Sequence, residues 1–460
     1  MARKVQALGL ALFLLGIALP ARGQGKSPNR IVSEKLIGKI HPSGIPASLK
    51  VSPDSKRVAY FAKEDNKQSV VVDGKEEKQY DGVGSLIFSP DSKRVAYVAA
   101  VGNKQSVVVD GKEEKQYDGA DSHIFSPDSK QVTYRAGVGN KQFFVVDGKE
   151  EKQYDNLMKG PPIFSPDSKR VAYGAKEGNK RFVVVDAKEE KPYDNMKAPI
   201  FSPDSRRVAY MAQAGNKWFA VVDGKEEKQY DDLAEGTLIF SPDSQGVAYG
   251  AKEGNKFFVV VDGKEQKQYD RIGAPIFSPD SRRVAYVATE GNKFFVVLDG
   301  KDGKQYDGVI APAFSPDSNR LAYVAANRGG FFSTDKWLVV VDGKEEKQYD
   351  GIAPGTLIFS PDSKRVAYGA KEGNKLFAVV DGKEEKQYDG IGALVFSPDS
   401  KRVAYEAEVG NKRFVVVDGK EGRQPAALVR AGRIIFDRPD SFHYLVRKDN
   451  GFYLVEERIE

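Results

Sequence analysis

The chain has 460 residues, an apolar fraction of 40%, 30% charged residues and a formal net charge of +6. The apolar residues fall in regular clusters, which excludes a disordered chain. Arg3, Lys4 and Arg22 belong to a segment expected to be removed, so the mature charge is near +3 and evenly spread; that excludes a nucleic-acid footprint, and no long block of one sign marks an interaction tail.

Arg3 and Lys4 start the chain, an uninterrupted run of apolar residues and glycine follows from Ala7 to Leu19, and Ala21-Arg22-Gly23 offers a small-x-small cleavage pattern. This pattern predicts a secretory leader over 1–23, too short in its apolar part to serve as a permanent bilayer span. The mature chain, 24–460, is therefore expected in a periplasm or outside the cell, with no membrane insertion after cleavage. Cysteine is absent, so export occurs without disulfides, which favours a bacterial envelope over an animal secretory setting.

From about 48 to 425 the chain is a repeat. The tetrapeptide SPDS starts at Ser52, Ser89, Ser126, Ser165, Ser202, Ser241, Ser278, Ser315, Ser360 and Ser397, mostly 37 residues apart, with two spacings of 39 and one of 45. Ten units of this length imply a solenoid, a propeller or an array. The unit Ala274–Gly308 predicts four strands: a at Pro275–Phe277, b at Arg283–Ala288, c at Phe294–Leu298 and d near Lys304–Tyr306. Proline, Asp and Ser shape the a–b turn, and Gly-Asn and Asp-Gly supply the positive φ of the b–c and c–d turns. Strand c is apolar on both faces and so must be covered twice. Strand d carries Lys and Glu, the marks of a protected edge. Four antiparallel strands, buried inside and charged at the rim, describe a propeller blade.

The ends complement one another. Arg433–Ile459 resembles strands a, b and c of an eleventh unit, with 438–441 in its a–b turn, and lacks strand d; EKLIGKIHPSG from Glu34 resembles the strand-d segment EKQYDGIAPGT from Glu346. A blade split between 34–45 and 433–460 would close the ring. The expectation is an all-β propeller of ten to eleven four-stranded blades, the alternative being two smaller propellers divided near Asn327–Gly355.

The stretch FSPDSKRVAY at Phe88–Tyr97, with its copies, resembles the WD-like repeat of TolB-type periplasmic propellers. The likeness covers nearly all of the mature chain, without the helical N-terminal domain of TolB and with more repeats. It implies a fold and an envelope setting, and it implies that the b–c turns and d–a loops share the face that carries ligands, opposite the SPDS and Asp-Gly turns.

Chemistry is sparse. No G-x-S-x-G and no cysteine supply a nucleophile. His41, His123 and His443 are the only histidines and fall at scattered repeat positions, so no metal site and no cofactor are expected. The aspartates that follow the strand-d tyrosine, from Asp81 to Asp389, recur in every unit and are expected to cap turns. Departures from the repeat are the better candidates. The b–c loop Asn327–Asp335 is expanded and carries Arg328, Phe331 and Phe332, the residue types of a recognition surface. The d–a loops Asn156–Pro161 and Asp232–Thr237 are also long. Trp218 and Trp337 share one strand-c position, which suits either blade packing or a stacking platform. The expected function is a non-catalytic scaffold that binds a protein or envelope component; a carbohydrate-binding or lyase-like propeller is the alternative.

Overall fold

A computed structural model describes residues 30–328, 335–423, 427–429 and 432–460; the leader segment 1–23 lies outside them. The described residues form eleven antiparallel sheets, each in the order a-b-c-d. In five of them strand a is broken into two short pieces that pair with the same strand b. We number the sheets as blades 1 to 11 in chain order, the SPDS at Ser52 marking blade 1.

The core follows from the residue pattern. Strand c buries both faces, as Val70 and Val71 show at 0% exposure. The apolar side chains consequently sort into eleven layers, each drawn from two successive blades. The tenth joins blade 10 to blade 11 through Val415, Tyr444 and Val446. The eleventh joins blade 11 to blade 1 through Leu445, Leu454, Val58 and Tyr60. The series returns to its start, so the chain is one ring of eleven blades and the two-ring alternative is set aside.

Closure uses the strand expected at the N-terminus. Arg30–Lys39 pairs antiparallel with Gly451–Ile459 and forms strand d of blade 11. It begins four residues before Glu34, and its register jumps between Leu36 and Gly38. Gly38 thus sits opposite Phe452, the register held by Tyr80 opposite Gln68 in blade 1. A Cβ on Gly38 would overlap the Asp73 carbonyl of blade 1, so only glycine lets the two backbones meet. The a–b connection of blade 11 also differs from expectation: Arg438 pairs with Ser441, leaving Pro439 and Asp440 as a two-residue hairpin rather than the longer SPDS turn.

Strand d departs from the sequence reading throughout. In blade 7, Lys301 and Asp302 pair with Leu298 and Val297, the Gly303 amide still donates to Val296 O at 2.9 Å, and pairing resumes at Tyr306 opposite Phe294. Four steps on strand d match three on strand c. This one-residue bulge interrupts the outer edge of the blade.

Candidate functional site

The repeat motifs bind blade to blade. In blade 1, Ser52 Oγ donates to Asp54 Oδ1 at 2.6 Å and accepts the Arg57 N–H at 2.9 Å. The Asp54 N–H donates to Ser92 Oγ of blade 2 at 3.0 Å, and the Arg57 guanidinium reaches the Ser92 carbonyl at 3.1 Å while lying over the Phe88 ring. Ser92 holds a φ of 66° to present its hydroxyl. The Asp–Ser link recurs from blade to blade as far as blade 10. At the last seam, Arg433 N–H donates to Ser55 Oγ, and His443 bridges the Asp437 carboxylate and the Asp54 carbonyl at 2.7 and 2.8 Å. His443 is therefore a closure residue on the SPDS face.

The opposite face holds the b–c turns. Asp81 Oδ2 accepts the Gly102 N–H of the next blade at 2.7 Å, and its Oδ1 accepts from Lys67 at 2.7 Å. Those two contacts, Lys67 first, hold its carboxyl below the usual range. Asp118, Asp155, Asp194, Asp231, Asp270, Asp350 and Asp389 cap the turn glycine of the following blade in the same way, and Asp307 caps Arg328. The nine aspartates are turn caps and seam links, and are not an open anionic ring.

Long d–a loops are structural as well. Blades 4, 6 and 9, which carry them, have glycine at one strand-b position: Gly174, Gly250 and Gly369. A Cβ there would collide with Met158 in blade 4, and with Ile272 and Ala234 or Ile391 and Ala353 in the others. The Gly250 and Gly369 amides donate to Thr237 and Thr356 hydroxyls at 2.8 Å. The loop folds into the space that the missing side chain leaves.

The sequence candidates do not converge. Asn327 ends strand b of blade 8 opposite Lys336, and Arg328 follows it with its amide on Asp307. Asp335 is described at the other side of that loop; Phe331 and Phe332 lie outside the described residues. Trp337 is half-buried against the layer of blades 8 and 9, and Trp218 against that of blades 5 and 6, with the Lys197 ammonium 5.6 Å from its ring centre. The two tryptophans thus stand in separate seams three blades apart. In blades 1 to 3 the same position is glutamine, whose Oε1 accepts the amide of the second residue of the next strand a, as Gln68 does from Val83. His123 is buried in strand a of blade 3 with neither ring nitrogen hydrogen-bonded. Among the described residues, no group of three or more His, Asp or Glu is placed to hold a metal ion.

What the sequence reading missed is an arc of the b–c face. The last residue of strand b is Glu in blades 1, 4, 6, 7 and 9, but valine in blades 2, 3 and 10. Val101, Val138 and Val409 are 45–47% exposed; the first two stand in neighbouring blades and the third lies beyond the closure seam, where Glu64 and Lys448 end strand b of blades 1 and 11. A cavity of about 500 Å³ opens in that seam, lined by His41, Tyr60, Leu428, Arg447, Asn450 and Phe452 among others. The signal was available as the break in the Glu-Gly-Asn-Lys turn, but its place in the ring depends on closure.

No family model matches the chain, and no curated protein matches it. Among solved structures it is similar to a eukaryotic initiation factor at 12% identity and a TM-score of 0.41, covering 88% of this chain and 99% of that one. It is similar to TolB from Acinetobacter baumannii at 16% identity and a TM-score of 0.26, covering 55% and 77%. A third likeness, to the tricorn protease, has 14% identity and a TM-score of 0.30, covering 86% and 47%. These likenesses assign neither an activity nor a partner.

Proposed function

We propose that the chain is an exported, non-catalytic propeller scaffold that binds a protein or another cell-envelope component on its b–c face. One observation carries this reading: the repeated polar side chains are spent on seams and turns, and three of the six large apolar side chains exposed among the described residues, each a departure from the repeat, end strand b on that face. Val101, Val138 and Val409 replace charge with apolar surface there, and Asn327, where the expanded b–c segment of blade 8 begins, ends strand b on the same face. Single exposed apolar residues need no explanation; Val101 and Val138, in neighbouring blades and rimmed by polar turns, are the part of that face best suited to a partner. The leader pattern supports the envelope setting.

The test is capture of partners from the chain's own cell envelope. Deleting Asn327–Asp335, or making V101E, V138E and V409E together, is expected to abolish capture with the thermal midpoint nearly unchanged. A control that reverses charge at Lys93 and Lys130 on the SPDS face is expected to retain it. Equal capture by all three variants would remove the b–c face as the binding surface.

A further inference from the structure

We propose that the cavity in the closure seam binds a small monocarboxylate carrying an apolar body, the class of a medium-chain fatty acid. The cavity stands where the repeat fails. In ordinary seams the outer tyrosine packs beside the strand-b tyrosine of the next blade, as Tyr80 does on Tyr97 with ring centres 6.3 Å apart. In the closure seam that outer register holds Gly38, and Tyr60 is left with Phe452 at 6.0 Å. The strand-a side of blade 11 keeps the usual pairing: Leu428 bridges to Val446 and the Val429 amide donates to Leu445 O at 3.0 Å, as the Met158 amide does to Gly174 O at 2.9 Å in blade 4, so the missing outer tyrosine is what opens the space. Ile45, Leu49, Leu428 and Phe452 are the apolar part of the wall.

The mouth supplies the polarity. The Tyr60 hydroxyl accepts the His41 N–H at 2.8 Å, whereas Tyr97 and Tyr405 donate theirs to Glu77 and Glu385. His41 Nε2 lies 3.5 Å from Glu76 and 3.9 Å from Glu64, so the nearby carboxylates already face a partner. The Arg447 amide is tied to the Ala427 carbonyl at 2.7 Å, which fixes the residue at the rim. Its guanidinium makes no ion pair among the described residues, and among the described lining residues it is the one formal cation apart from histidine. A guanidinium fork matches a carboxylate with two parallel hydrogen bonds. About 500 Å³ accommodates a body of about ten non-hydrogen atoms, within the usual range for small-ligand pockets. Acid outside and hydrocarbon inside is the ligand this shape and charge select, and its binding does not depend on the partner surface proposed above.

Titration calorimetry of the purified protein with octanoate, octanol and octylamine tests the assignment. Octanoate is expected to bind one saturable site, octanol at least tenfold more weakly, and octylamine not at all. Arg447→Gln, a change at an exposed residue, is expected to lower octanoate affinity at least tenfold, to the level of octanol. Ile45→Trp, which fills the wall, is expected to abolish both. Carbon-13 shifts of labelled octanoate give a second readout if Ile45→Trp fails to fold. No saturable octanoate binding, equal binding of octanol, or unchanged affinity in Arg447→Gln would each overturn the proposal.

Discussion

Within one SPDS motif the first serine closes its own turn, the aspartate anchors that serine, and the last serine accepts a bond from the previous blade. These roles explain why the motif tolerates no drift while the residues after it vary between Lys, Arg, Gln and Asn. His123 is the opposite case. It stands where Leu86 stands in blade 2, buried against blade 2, with backbone groups of Ala96 and Ser85 near but neither ring nitrogen bonded. Burial, the largest effect, pushes its pKa down from the ordinary histidine value, so the folded ring holds it neutral while the unfolded chain takes up a proton below about pH 6.5. The unfolded state then binds more protons, and stability falls as pH drops through that value. The leucine of blade 2 placed here, His123→Leu, is expected to raise stability by about 1–3 kcal/mol, the cost of an unsatisfied buried polar group. It should also flatten the melting midpoint between pH 7.5 and pH 5.5, measured by circular dichroism. A midpoint that is lower, or as pH-dependent as that of the parent, would contradict this account.

At the scale of the strand and loop, the coupling of glycine with a long d–a loop is the clearest rule. Gly250→Val installs the residue that blades 2, 7 and 8 carry at this position, against Ile272, Ala234 and the Thr237 hydroxyl. It is expected to destabilise by about 1–3 kcal/mol, the usual cost of overpacking. Deleting Glu235 and Gly236 restores the shorter unit length and is expected to recover most of the loss in the combined variant. Thermal melts of the single and combined variants check it; a combined loss equal to the sum of the two would show that loop and glycine are independent. The turns and strands b and c were legible because Asp-Gly, Gly-Asn and alternating Val, Phe and Tyr act locally. The strand-d bulge was not, because polar residues at an edge carry no burial pattern to set register. The cap made by Asp81 was predicted as a turn function, yet its target is the turn of the next blade, a contact that composition does not encode.

For the whole molecule, the repeat predicted a propeller and the ends predicted closure, but unit spacing alone left one ring and two rings open. The number of blades is decided by which layers pack, and the eleventh layer joins the first blade to the last. The seam cavity was illegible for the same reason: its walls come from Tyr60 and from Leu428, Arg447 and Phe452, which only closure brings together. The candidate residues of blade 8 were found because their loop interrupts a strict period. The valine arc escaped notice because each of its members looks harmless alone. The central claim is that one ring is shut by its N-terminal strand, in the register that sets Ser33 opposite Glu456. Because the chain has no cysteine, the variant S33C/E456C reports on this directly under oxidation, since directly opposed strand residues lie within disulfide reach. The structure predicts a monomer with an internal disulfide, migrating faster on a non-reducing denaturing gel and returning to the parent position on reduction. Free thiols, or disulfide-linked dimers alone, would contradict the closed ring.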